Sequence, residues 1–193
     1  MTAPTRERLL ALLTALSYER RAVRLASGAP STFYIDCKQT ALHPEGAAAL
    51  GEHLLDAVER LEALRGRRAA GVGGMTLGAD PLATAVSLTA WGRGRALPAF
   101  IVRKEPKGHG TGRWLEGAKN LPAGSDVVLL EDVITSGGST LRAAERVREA
   151  GLLPFGVACI VDRSAGGRAN LEADGLAVDT LFSRADFPPD EAA

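Results

Sequence analysis

The chain has 193 residues, room for one α/β domain with a sizeable core but hardly for two. Its 23 basic and 23 acidic side chains balance, so no overall field favours a nucleic acid or a membrane surface as partner. No apolar run is long enough to span a bilayer, and Met1–Arg8 lacks the apolar core of a secretion signal. Cys37 and Cys159 sit in strand-like apolar or mixed contexts, which fits buried free thiols in a reducing cytoplasm, and no Cys/His spacing suggests zinc.

In chain order, Thr5–Leu16 predicts an amphipathic helix with Leu9, Leu10, Leu12, Leu13 and Leu16 on its apolar side. Val23–Lys38 predicts a hairpin turning around Ser27–Ser31. Pro44 suits the first turn of a second helix running to about Leu61, and Arg65–Arg68 is a basic turn. Short strands are then expected at Ala69–Val72, Pro98–Val102, Val127–Leu130, Phe155–Val161 and Val178–Phe182, with helical patterns such as Pro81–Trp91 between some of them. That alternation implies an α/β fold with a central parallel sheet covered on both faces. Ligands of such sheets collect where strands end, so Gly73–Pro81, Arg103–Arg113, Glu131-Asp132 and Asp162-Arg163 are the stretches to weigh. Gly73–Pro81 looks like a backbone-rich turn and a second possible anion site. The tail Phe187–Ala193, with two prolines followed by small and acidic residues, is expected to fray.

The most informative stretch is Val127–Thr140. Four aliphatic residues run into Glu131 and Asp132, and a loop of hydroxyls and glycines then opens a helix with Leu141, Ala144 and Val147 on one face. Gly137 and Gly138 let backbone N–H groups converge, and the helix amino end adds partial positive charge: a phosphate cradle. It is neither the lysine-bearing nucleotide loop nor the three-glycine dinucleotide fingerprint. Two acids just before the cradle suit vicinal hydroxyls and Mg²⁺, the needs of a ribose 5-phosphate. The bland alternative is an ordinary strand–turn–helix with solvated acids. This segment closely resembles the ribose-phosphate signature of type I phosphoribosyltransferases, which bind phosphoribosyl pyrophosphate (PRPP).

Arg103–Arg113 carries four fixed cations (Arg103, Lys104, Lys107, Arg113) against Glu105, and holds two of the chain's four lysines. Its glycines make it flexible, and its charge suits an anion such as a departing pyrophosphate. The run FIVRKEPKGHGTG, with SGAPSTFYIDCK upstream and VDRSAGG downstream, resembles orotate phosphoribosyltransferases across nearly the whole chain. That resemblance implies a type I phosphoribosyltransferase fold in one domain, with a hood at roughly 1–40, a core sheet at roughly 41–186 and the tail at 187–193. It implies transfer of ribose 5-phosphate from PRPP to orotate, giving orotidine 5′-monophosphate in pyrimidine biosynthesis. By the same resemblance, Arg103, Lys104, Lys107 and His109 meet the pyrophosphate of PRPP. Glu131 and Asp132 hold the ribose hydroxyls directly or through Mg²⁺. Val133, Ile134, Thr135, Ser136, Gly137, Gly138 and Ser139 complete the PRPP site, and Thr135 and Arg163 touch orotate. Lys107 and Asp132 are the expected catalytic pair, and the 103–113 loop is expected to reach into the partner of a homodimer.

Orotate carries a carboxylate, which a guanidinium at Arg163 can grip with two donors where uracil or a purine offers nothing. Ala26 replaces a lysine found in some members, and the 73–81 turn lacks their Tyr-Lys pair. Tyr34 and Ile35 fall near the family's base-stacking aromatics, with core packing expected for Ile35. A uracil or purine phosphoribosyltransferase is the nearest alternative. A PRPP-sensing regulator is the other, and it would need a nucleic-acid-binding module or a basic face.

Overall fold

The structure, a computed structural model, describes residues 4–24, 30–106 and 114–189. Helix α1 (Arg6–Leu16) opens the chain, its first turn capped by Thr5, whose hydroxyl accepts the Arg8 N–H at 3.3 Å. The hairpin β1 (Tyr18–Arg24) and β2 (Pro30–Ile35) forms a separate two-stranded sheet. It starts five residues before the predicted Val23, because Tyr18 pairs with Ile35. A short helix α2 (Lys38–Ala41), not foreseen from sequence, leads to α3 (Pro44–Arg65). Pro44 does occupy its first turn, and the helix runs one turn beyond Leu61 until Gly66, at φ 60°, adopts the left-handed conformation that stops it.

The central sheet follows: β3 (Gly71–Met75), β4 (Ala99–Val102), β5 (Leu115–Glu116), β6 (Asp126–Ile134), β7 (Leu153–Asp162) and β8 (Ala177–Ser183). Its order is β5-β4-β3-β6-β7-β8, with every pair parallel except the short edge pairing of β4 and β5. Helices α4 (Ala79–Gly92), α5 (Gly138–Glu149) and α6 (Gly167–Ala173) complete the layers.

Alternation along β6 divides the core in two. Val128 and Leu130 pack with α3 and α4 through Leu54, Val58, Leu82 and Val86, while Val127 and Leu129 pack with Ala143, Ala144 and Val147 of α5. Both faces are therefore dry, as an all-but-parallel sheet requires.

Two expectations change here. Gly73 and Gly74 lie inside β3 rather than in a turn. A Cβ on Gly73 would stand 2.1 Å from the Phe100 carbonyl oxygen, and one on Gly74 would stand 2.1 Å from that of Leu130. These two glycines let three strands approach, and the turn that feeds α4 is the shorter Thr76–Gly78.

The second change is at the tail. Phe187 is 4% exposed and packs against Tyr18 (5.8 Å between ring centroids), Phe33 (5.5 Å) and Phe182 (6.4 Å). It is an anchor joining the hairpin to the end of β8, and residues 190–193 lie outside the described residues. Phe187→Ala should lower the unfolding free energy in urea by about 3 kcal/mol. A change below about 0.5 kcal/mol would mean that the aromatic cluster holds nothing.

Candidate active site

Beyond Ile134 the chain leaves the sheet and turns through Thr135–Gly137 into α5. Gly137 takes a left-handed φ of 78°, open to glycine at little cost. The loop is supported from beneath by α6. Gly167 comes so close that a Cβ there would lie 2.5 Å from the Thr135 carbonyl oxygen, and Asn170 Nδ2 donates to the Ser136 carbonyl at 3.0 Å. The first N–H groups of α5 have no partner within the helix, and no side chain caps them, so they face outward with the helix dipole behind them. Of the predicted contacts, Val133 and Ile134 belong to the strand. Ile134 is fully buried because pairing with β7 continues to Ile134–Asp162, so its side chain underlies the loop rather than meeting a ligand.

The same alternation separates the adjacent acids. Glu131 follows Val127 and Leu129 toward α5, where its Oε2 accepts the Ser139 hydroxyl at 2.9 Å and the Thr140 hydroxyl at 2.7 Å. Asp132 points to the other face. Its Oδ1 accepts the Val133 N–H at 2.9 Å, and its Oδ2 lies 4.0 Å from Lys38 Nζ. Gly78 abuts this carboxylate, where a Cβ would lie 2.8 Å from Asp132 Cγ. Lys38 itself is bound to Asp36 Oδ1 at 2.6 Å. It drew no role from the sequence, although it ends the FYIDCK run and is one of four lysines.

Arg163 stands beside the loop. Its N–H donates to the Ile134 carbonyl at 2.9 Å, and its Nη2 donates to the Phe33 carbonyl of β2 at 2.7 Å. Its neighbour Asp162 accepts the Ser164 N–H at 2.8 Å and lies 3.5 Å from Arg168 Nε. Burial, and after it the charge of Arg184, draw the Arg163 pKa down from its ordinary value. Arg184 was also missed from sequence. It begins the turn after β8, and its guanidinium lies 4.5 Å from the centre of the Phe33 ring, with Arg163 at 5.2 Å from the same ring. Of the hood residues, Ile35 is buried in the core, and Tyr34 stacks under Arg21 at 3.6 Å.

The basic loop leaves the sheet from a stem in which Arg103 N–H donates to the Trp114 carbonyl at 2.8 Å. The Arg103 guanidinium is 3.1 Å from Glu116, and Lys104 is exposed. Lys107, His109 and Arg113, like Ala26 in the hairpin turn, lie outside the described residues.

The donor set fits Mg²⁺ shared with a ligand better than Mg²⁺ held by protein alone. Among the described residues no group of three His, Cys, Asp or Glu side chains converges on one point. Asp132 offers a partly exposed carboxylate, and one oxygen of Glu131 is already engaged. Mg²⁺ commonly keeps several waters and binds one or two carboxylates together with substrate phosphates.

Glu131 is 5% exposed. Burial first, and then the Asp132 carboxylate, raise its pKa from the usual 4.5 to about 7, opposed by the two hydroxyls. Between those values the folded protein holds a proton that the unfolded chain has released, so stability falls as pH rises. Urea unfolding from about pH 5 to about pH 7 should show a loss of up to about 1.4 kcal/mol per pH unit that Glu131→Gln abolishes. Parallel pH profiles for the two proteins would contradict the buried, proton-binding state of Glu131.

Comparison with known proteins places this geometry. Residues 72–177 match the phosphoribosyl transferase domain. The chain is 50% identical to the orotate phosphoribosyltransferase of Sorangium cellulosum (strain So ce56), over 97% of this chain and 95% of that one. The orotate phosphoribosyltransferase of Mycobacterium tuberculosis H37Rv in complex with Fe(III) dicitrate superposes with a TM-score of 0.79 at 37% identity, covering 95% of this chain and 98% of the other. The same enzyme in complex with PRPP gives a TM-score of 0.74 at 35% identity, with the same coverage. On that domain match, and on identity and fold shared across nearly its full length, the chain belongs to the orotate phosphoribosyltransferase family, built on the type I phosphoribosyltransferase fold.

Proposed function

We propose that the chain carries out the family's reaction at the carboxyl edge of β6 and β7, with the division of labour that follows. The backbone N–H groups of Thr135–Ser139 and the amino end of α5 bind the 5-phosphate of PRPP. Asp132, exposed on one side and braced by Gly78 on the other, accepts a ribose hydroxyl; Glu131 reaches the sugar through the oxygen that Ser139 and Thr140 leave open. Arg163 meets the orotate carboxylate, with Thr135 beside it. One observation carries this reading: the backbone bond from Arg163 N–H to the Ile134 carbonyl holds Arg163 at the end of β7 beside the loop, with its guanidinium turned to the Phe33 carbonyl of the hairpin. A carboxylate placed there would offset both the burial of Arg163 and the repulsion from Arg184.

The ring nitrogen of orotate forms a bond to the anomeric carbon of PRPP, the bond to pyrophosphate breaks, its electron pair leaves with pyrophosphate, and the nitrogen's proton passes to solvent. No protein nucleophile is needed. Arg103, Lys104, Lys107 and His109 stabilise the leaving pyrophosphate, with Lys107 the main source of charge in the transition state. Mg²⁺ carried mainly by PRPP, and reached by Glu131 and Asp132 through water, would add neutralisation of the diphosphate. The Lys38–Asp132 approach keeps a further cation near the ribose.

We further propose a homodimer in which the 103–113 loop serves the partner's site, and a cytoplasmic location. Leu42, Leu77 and Leu88 are 73%, 65% and 67% exposed around a groove of about 570 Å³ that also touches Lys38 and Asp80. Such an apolar face beside the site supports a second copy seated there. Both cysteines are buried and free, in keeping with a reducing compartment, and no helix of the described residues is long and apolar enough to cross a membrane.

Arg163→Leu should weaken orotate binding by roughly 2–5 kcal/mol in calorimetry while PRPP binding stays near wild type. Loss of both together, or a collapsed melting temperature, would make Arg163 structural. Mixing two inactive variants, Lys104→Ala and Asp132→Ala, tests the shared loop. A mixed dimer should regain one intact site, with recovery to at most about half of wild-type activity. No recovery from proven mixed dimers would return the loop to its own site.

A further inference from the structure

Three side chains meet at the start of α5 in a way that the reaction scheme leaves unexplained. Glu131 Oε2 takes hydroxyl bonds from both Ser139 at 2.9 Å and Thr140 at 2.7 Å. The two donors differ in environment: Thr140 is 2% exposed and faces the core with Ala143, Ala144 and Val147, whereas Ser139 is only partly buried, at the mouth of the loop. A hydroxyl has one proton to donate. If Ser139 Oγ–H turns to a phosphate oxygen, its bond to Glu131 is broken, and the carboxylate keeps whatever else holds it.

We propose that Thr140 is a positioning residue for PRPP recognition, anchoring Glu131 through Oε2 so that Ser139 can leave that carboxylate for the 5-phosphate without setting it loose. The inference rests on the PRPP site described above and adds a residue that touches no part of the substrate. Its logic is that of pre-organisation. A carboxylate held by a buried donor keeps one orientation whether or not phosphate is bound, so less side-chain freedom is lost on binding. The phosphate itself is held by backbone N–H groups and the dipole of α5, so it does not depend on Thr140. Recognition of the ribose should therefore be sensitive to Thr140, and recognition of a bare phosphate should not.

The test compares Thr140→Val, which keeps the shape and removes the hydroxyl, with Thr140→Ser, which keeps the hydroxyl. Thr140→Val should raise the PRPP dissociation constant and KM about tenfold, the scale of one strong hydrogen bond, with kcat within about threefold of wild type. Its affinity for inorganic phosphate should match wild type, and Thr140→Ser should restore PRPP binding to within about threefold. If Thr140→Val does not fold, Thr140→Ala carries the same comparison without placing a methyl group against the carboxylate. Equal loss of PRPP and phosphate affinity would mean that Thr140 merely holds the helix end, and unchanged PRPP affinity in a folded variant would overturn the proposal. A wild-type protein that binds phosphate but not PRPP would refute the underlying site itself.

Discussion

Neighbouring side chains on a β-strand face opposite ways, and the organisation of this molecule turns on that alternation in β6. Val128 and Leu130 enter one core and Val127 and Leu129 the other, which commits the next two residues to different surroundings. Glu131 is delivered to the dry side under α5 and Asp132 to the side of Gly78 and Lys38. Two chemically similar carboxylates thus become different groups. One is buried, with two hydroxyl donors and a raised pKa; the other is partly exposed and beside a cation. A parallel strand ending at this loop supplies two such different carboxylates side by side.

Close approach is the second constraint. Gly73 and Gly74 let β3 lie against β4 and β6, Gly78 brings the next turn onto Asp132, and Gly167 brings α6 under the phosphate loop. Each removes a Cβ that would otherwise stand within 3 Å of a carbonyl or carboxylate. The loop's N–H groups are therefore aimed by a rigid floor. On the far side, Arg163 links the end of β7 to the hairpin through the Phe33 carbonyl, and the Phe33 ring packs with Tyr18 and Phe187. The end of β7 is in this way tied to the hairpin and to the last described segment of the chain.

Much of this was legible in the residues. Four aliphatics, two acids and a Ser-Gly-Gly-Ser-Thr run can be read locally, because strand, cradle and helix start all arise within fourteen consecutive residues. The alternation of strands and helices gave the sheet class for the same reason. What escaped depends on non-local contacts. Gly73-Gly74 has the composition of a turn, and only the carbonyls of Phe100 and Leu130 make it a strand. Phe187 sits among prolines and acids, yet the distant rings of Tyr18 and Phe33, with Phe182 of β8, bury it. Lys38 and Arg184 reach the site by tertiary packing, with no spacing pattern to announce them. That Glu131 turns toward α5 and finds two hydroxyl partners there becomes evident only once α5 is docked.

The account stands on orotate being the acceptor at a PRPP site, and base-dependent pyrophosphate release tests that most directly. With PRPP and Mg²⁺ supplied, purified protein should release pyrophosphate when orotate is added and form orotidine 5′-monophosphate in equal amount. Uracil, adenine and xanthine, which lack orotate's carboxylate, should give no release above the rate without a base. Release with one of those bases and none with orotate would contradict the account.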